Sequence, residues 1–193
     1  MDTVRLFIAI ELDQEILQRI GKLQARLKDD TPPGLVRWVR PEGIHLTLKF
    51  LGEVPTERVE AISQATRSAC APHTPLSLAI GTLGCFPNPR RPRVIWVGVD
   101  EPTGALARLQ RDVERTLKPL GYPPEGRAFS PHLTLGRVKG GGPDALEELG
   151  AYVSRASVQV GEMRATSVSL IRSALLPGGA VYTELGVYVL PEG

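Results

Sequence analysis

His45-Leu46-Thr47-Leu48 recurs as His132-Leu133-Thr134-Leu135, in a chain of 193 residues that owns only three histidines. At ordinary composition a given His would be followed by Leu-Thr-Leu roughly once in a thousand times. The doubled word is therefore a repeat and not a coincidence. Alternation of this kind reads as a β-strand, in which residues i and i+2 share a face. His45 and Thr47 then stand side by side on one face, while Leu46 and Leu48 bury on the other. His132 and Thr134 do the same against Leu133 and Leu135. Each copy is a rigid mounting for one imidazole and one hydroxyl.

Around these words the chain divides into two similar halves. Val4, Leu6, Ile8 and Ile10 alternate with Arg5, Phe7 and Ala9, which predicts a half-buried strand. Asp13 is placed to cap a helix whose Ile16, Leu17, Ile20, Leu23 and Leu27 form one apolar stripe. An extended segment near Val36 to Val39 leads to the first histidine strand. Thr56 is then expected to cap a second helix with Val59, Ile62 and Thr66 inward, followed by a strand through Leu76, Leu78 and Ile80. The second half predicts a strand over 94–99 and a helix opened by Asp100 or Glu101 before Pro102, with Leu106, Leu109, Val113 and Leu117 inward. The second histidine strand over 132–138 follows, then a short helix from Pro143 and Asp144. Strands are expected near 158–172 and 181–189, the last without a match in the first half and completing a sheet across the seam. The expected fold is α+β, a single two-lobed domain over 1–193 with approximate repeats 4–83 and 94–172. Each lobe is an antiparallel sheet with helices on its outer face, and a central cleft lies between them.

Composition sets outer limits. The net charge is +2, so no long-range field of one sign dictates the partner. Arg outnumbers Lys 18 to 5, which suits phosphate recognition as well as it suits a biased genome. The N-terminal stretch fits no signal peptide and no apolar run approaches a membrane span, so a cytoplasmic protein is expected. Cys70 and Cys85 are expected as reduced thiols. No HExxH or CxxC spacing, G-x-S-x-G elbow or phosphate-loop lysine occurs.

Two equivalent strands related by a twofold can aim their histidines at one phosphorus from opposite sides. In-line displacement needs a base for the incoming water and an acid for the oxygen that leaves. Imidazole, which titrates at about 6.5 when unperturbed, suits both tasks. Thr47 and Thr134 would hydrogen-bond the non-bridging oxygens as charge grows. Hydroxyls bind phosphate without neutralising it, which favours a strained, singly charged phosphodiester.

The doubled His-x-Thr-x word resembles the signature of the two-histidine (2H) phosphoesterases. Arg5-Leu6-Phe7-Ile8-Ala9-Ile10, Trp38 to Gly52, Phe86 to Val99 and Phe129 to Arg137 resemble the bacterial and archaeal RNA 2',3'-cyclic phosphodiesterases, also called 2'-5' RNA ligases. The resemblance implies the 2H phosphoesterase fold. It also implies metal-independent hydrolysis of RNA or nucleoside 2',3'-cyclic phosphate ends to 2'-phosphates, with no cofactor. It makes His45 the proton donor to the leaving 3' oxygen and His132 the base acting on water.

Further candidates surround the histidines. Aligning the halves on their first strands sets Phe7 opposite Trp96 and Ala9 opposite Gly98. At least one of those aromatics is expected to stack on a nucleobase, as aromatics do in single-stranded RNA sites. Trp38 is expected either to stack on substrate or to pack beneath it. Arg40 and Arg127 each lie five residues before a histidine, where they would flank the phosphate or the solvent. Lys49 shares parity with His45. Arg137 has the wrong parity from His132, so either a bulge re-aims it or it binds at the rim. Pro87 to Arg93 reads as a rigid solvated connector, His73 as a loop histidine, and Gly140 to Gly142 as a turn. Two other readings compete with the hydrolase: a 2'-5' RNA ligase using the same histidines, and a non-catalytic RNA-end-binding module. Neither a membrane nor an obligate protein partner is expected, and nothing demands a dimer, so a monomer is.

Overall fold

A computed structural model describes residues 2–176 and 179–193. β1 (Thr3–Glu11) leads into α1 (Gln14–Asp29), whose first turn is closed by Asp13 Oδ1 accepting from Ile16 N at 2.8 Å. β2 (Val36–Trp38) and β3 (His45–Pro55) follow, then α2 (Val59–Cys70) and β4 (Leu76–Phe86). The second half supplies β5 (Val94–Asp100), α3 (Ala105–Leu117), β6 (His132–Val138) and α4 (Pro143–Arg155). β7 (Gln159–Ala165), β8 (Ser167–Leu176) and β9 (Gly179–Val189) end the chain.

Two helix starts differ from the expected ones. Thr56 does not cap α2; it opens a 3₁₀ turn, and its hydroxyl donates to Asp2 O at 3.2 Å. α3 begins after Gly104, whose φ of 76° suits glycine. Glu101 still serves the first turn from a distance, its carboxylate accepting from Leu106 N at 3.0 Å. The predicted 158–172 strand is two strands, broken at Thr166. Cys70 and Cys85 are buried free thiols. No helix among the described residues is long and apolar enough to cross a membrane.

The strands form two antiparallel sheets, ordered β3-β1-β8-β9 and β2-β6-β5-β4-β7. Each sheet draws on both halves. β4 leaves the first half to pair with β5, and β8 returns from the second half to pair with β1. β9 sits outside β8 at the edge of the four-stranded sheet. The helices cross as well: α1 packs beside β7, while α3 packs beneath β3. The repeat is therefore a unit of sequence whose pieces are exchanged between the two sheets. One continuous apolar core, including Leu6, Ile8, Leu46, Ile95, Leu109, Leu133 and Leu135, runs under both sheets.

A bulge follows each Leu-Thr-Leu. In β3 the pairing with β1 passes from Thr47 to Lys49, leaving Leu48 unpaired; in β6 the pairing with β5 passes from Thr134 to Gly136, leaving Leu135 unpaired. A buried glutamine holds each skipped residue. Gln24 of α1 donates to Leu135 O at 2.8 Å, and Gln110 of α3 donates to Leu48 O at 3.5 Å.

The bulges reverse the parity read from sequence. Lys49 turns to the core, 4% exposed, with its ammonium 3.2 Å from Glu114 and donating to Pro123 O at 2.7 Å. Glu114 also accepts from Glu125 N at 2.8 Å. Lys49 is thus a clamp on the loop before the second histidine strand and does not reach the cleft. Breaking such a buried pair costs about 3–5 kcal/mol, because the partner is left charged and alone.

Candidate active site

The sheet faces turned away from the helices carry the two words in matching rows. In the first, His45 lies beside Glu11, Thr47 beside Ala9 and Phe50 beside Phe7. In the second, His132 lies beside Gly98, Thr134 beside Trp96 and Arg137 beside Val94. Ala9 is therefore the counterpart of Trp96, and Phe7 of Val94. The alignment that set Phe7 against Trp96 is two residues out of register. Strands β3 and β6 approach within 8 Å, Cα to Cα, so the histidine strands are neighbours across the seam.

His45 sits among aromatic rings. Phe7 stacks beneath it, with centroids 4.4 Å apart and planes 23° from parallel, and Tyr182 meets it edge-on at 5.3 Å. Loss of solvent in this setting lowers the His45 pKa to about 4, opposed by a hydrogen bond from the ring to the Gly43 backbone. Phe7 is only 2% exposed, so it is the floor under the imidazole and offers no open ring to a nucleobase.

His132 is held differently. Its Nδ1 lies 2.7 Å from Ser130 O, which fixes that nitrogen as the donor and leaves Nε2 as the acceptor of a neutral ring. Phe86 meets it edge-on at 4.9 Å, and the Trp96 centroid is 6.3 Å away. Trp96 lies over Gly84, where any Cβ would come within 2.2 Å of the indole, and its buried Nε1 has no hydrogen-bond partner among the described residues.

The remaining expected residues are placed as follows. Trp38 pairs with Gly136 on the core side of the sheet and packs on the apolar interior, so it faces away from the histidines. Arg127 is exposed in the loop tethered by Lys49 and Glu114. The β6 bulge carries Arg137 onto the face of Thr134, where it is exposed. His73 is bound to Asp112 at 2.8 Å, away from both histidine strands. Gly150 of α4 packs directly against Pro89, where a Cβ would meet the carbonyl at 1.8 Å, so the Pro87 to Arg93 connector is seated under that helix.

Several neighbours escaped the sequence reading. Tyr182 comes from the unmatched last strand, and Phe86 from the end of β4. Glu11 beside His45 has a raised pKa, from burial and then from Glu184, which accepts from Ser169 Oγ at 3.0 Å.

The family model described as LigT like Phosphoesterase matches this chain twice, over residues 10–96 and 97–182. The chain belongs to the LigT-like phosphoesterase family. A protein of Methanothermobacter thermautotrophicus named RNA 2',3'-cyclic phosphodiesterase is 39% identical to this LigT-like chain, covering 97% of it and 99% of the relative. One of the same name from Archaeoglobus fulgidus is 36% identical over 96% and 99%. TT0787 of Thermus thermophilus shares the fold with a TM-score of 0.81 at 28% identity, covering 97% of this chain and 98% of that one. E. coli LigT complexed with 3'-AMP gives 0.78 at 26% identity, over 99% and 100%. The α+β architecture expected from the motif resemblance is the one this LigT-like phosphoesterase adopts.

Proposed function

We propose that the chain is a cytoplasmic RNA 2',3'-cyclic phosphodiesterase that opens RNA or nucleoside 2',3'-cyclic phosphate ends to 2'-phosphates, without metal, cofactor or obligate protein partner. The observation that carries this reading is the pair of His-x-Thr strands set side by side, with His132 Nδ1 held at the Ser130 carbonyl and the His45 ring stacked on Phe7. In this mechanism His132 Nε2 takes a proton from water as its oxygen attacks phosphorus. The bond from phosphorus to the 3' oxygen breaks on the far side, and His45 supplies the proton that this oxygen needs. The Thr47 and Thr134 hydroxyls donate to the non-bridging oxygens as their charge increases.

A donor must hold a proton at neutral pH, and the free His45 at about 4 does not. The substrate itself supplies what is missing. One negative charge at ~4 Å in surroundings of effective dielectric ~20 stabilises a cation by about 4 kcal/mol. That equals about 3 pKa units, enough to bring His45 into the neutral range when the cyclic phosphate binds. Burial thus keeps the donor neutral until there is a phosphate to pair with it.

Incubation with a nucleoside 2',3'-cyclic phosphate in excess chelator, followed by phosphorus NMR, is the test. The expected product is the 2'-phosphate alone, at an undiminished rate. A 3'-phosphate product, or activity that appears only when a divalent metal is restored, contradicts the mechanism.

A further inference from the structure

The second lobe carries a row of cations that the chemistry above does not use. Arg37 of β2 is directly opposite Arg137 of β6, and cross-strand partners share a face. That face is the one bearing Thr134, because the bulge at Leu135 brings Arg137 round to it. Lys139 continues the row, its N donating to Leu35 O at 2.9 Å as the β2–β6 ladder runs on. All three side chains are exposed, and no ion pair among the described residues involves any of them. β2 is the edge of its sheet, so the row is open to solvent along one side.

Spacing and charge both point to a polyanion. Arg37 stands about 5.5 Å from Arg137 across the strands, and Lys139 about 7 Å beyond, just past the end of β6. On the His45 side the site is bordered by a carboxylate pair instead: Glu11 lies beside His45, and Glu184 lies beside Glu11. A nucleic acid chain leaving the site is repelled on that side and attracted on the other. A 2',3'-cyclic phosphate ends an RNA, so every upstream nucleotide must leave in one direction.

Resting on the proposed phosphodiesterase reading, we infer that Arg37 and Lys139, continuing from Arg137, form a backbone track for single-stranded RNA upstream of the cyclic end. The enzyme is thereby specific for oligonucleotide ends over mononucleotides.

The test compares kcat/KM for an oligoribonucleotide ending in a 2',3'-cyclic phosphate with that for the nucleoside 2',3'-cyclic phosphate. Both are measured on the full chain and on the double variant R37Q/K139Q, across a salt series. The wild type is expected to favour the oligonucleotide about ten-fold or more at low salt. The double variant is expected to lose most of that preference through KM. Its log–log salt dependence should flatten by about 1.4, from two lost phosphate contacts at ~0.7 each. Equal rates on both substrates in the wild type overturn the track, as does a variant with unchanged preference and salt slope. Fluorescence anisotropy with the same oligonucleotide carrying a 2'-phosphate end separates the two readings. If neither substrate turns over, the phosphodiesterase assignment fails, whereas the track stands or falls on whether R37Q/K139Q weakens binding several-fold or leaves it unchanged.

Discussion

Replacing His132 with alanine is expected to lower kcat on a 2',3'-cyclic nucleotide by about 10³–10⁴-fold, the upper range for a positioned acid or base. His45→Ala should match it. The double variant should be only slightly worse than either, because two groups serving one proton relay do not contribute additively. Steady-state kinetics on the three proteins checks this. Folding is the needed control at position 45, since that ring is packed between Phe7 and Tyr182. His45→Gln keeps much of the volume, and its thermal transition should stay near that of the parent while turnover is lost. His132 touches the Ser130 carbonyl and the edge of Phe86, so its loss should leave the core undisturbed. Binding of a 2'-nucleotide product should survive within several-fold in all three. A variant that retains a tenth of the activity would remove that histidine from the chemistry.

The second large effect is expected at the threonines. Thr47→Val and Thr134→Val exchange a hydroxyl for a methyl in side chains of nearly the same shape, and valine suits a strand at least as well. Each should cost about 10²-fold in kcat with little change in KM, as removal of a donor to developing charge does. Thr→Ser at either position should restore most of the rate, because only the hydroxyl is required. Steady-state kinetics on the four variants distinguishes this from a packing role, in which Val would be harmless and Ser the damaging change.

Much of the fold was legible because short patterns determined it. The alternation at 4–10, the Asp13 cap and the apolar stripe of α1 predict elements that the structure contains. The two histidine words predict β3 and β6. The exchange of strands was not legible: nothing in residues 76–86 distinguishes pairing with β5 from pairing with β1, since both partners present the same alternating face. The two bulges were hidden for a related reason. Leu-Thr-Leu continues a regular alternation on paper, and it is Gln24 and Gln110, each from a helix of the other half of the chain, that hold the skipped carbonyls. Lys49 and Arg137 changed faces as a result. Phe7 and Trp38, both candidates for stacking on a base, are taken up by His45 and by the core, because an aromatic on a half-buried strand packs against whatever lies nearest. Tyr182 had no counterpart in the repeat to draw attention to it.

In the proposed mechanism two imidazoles grip a single phosphorus, and the bound anion raises the His45 pKa so that the ring takes up a proton from solvent. Nitrogen-15 NMR of the histidine rings during titration with a nucleoside 2'-phosphate tests it most directly. In the free protein His45 should stay neutral until pH falls to about 4. On addition of the nucleotide, both rings should shift with one and the same Kd, and His45 should acquire the signature of an imidazolium near neutral pH. A His45 ring that ignores the ligand, or two rings that respond with separate affinities, would contradict the account.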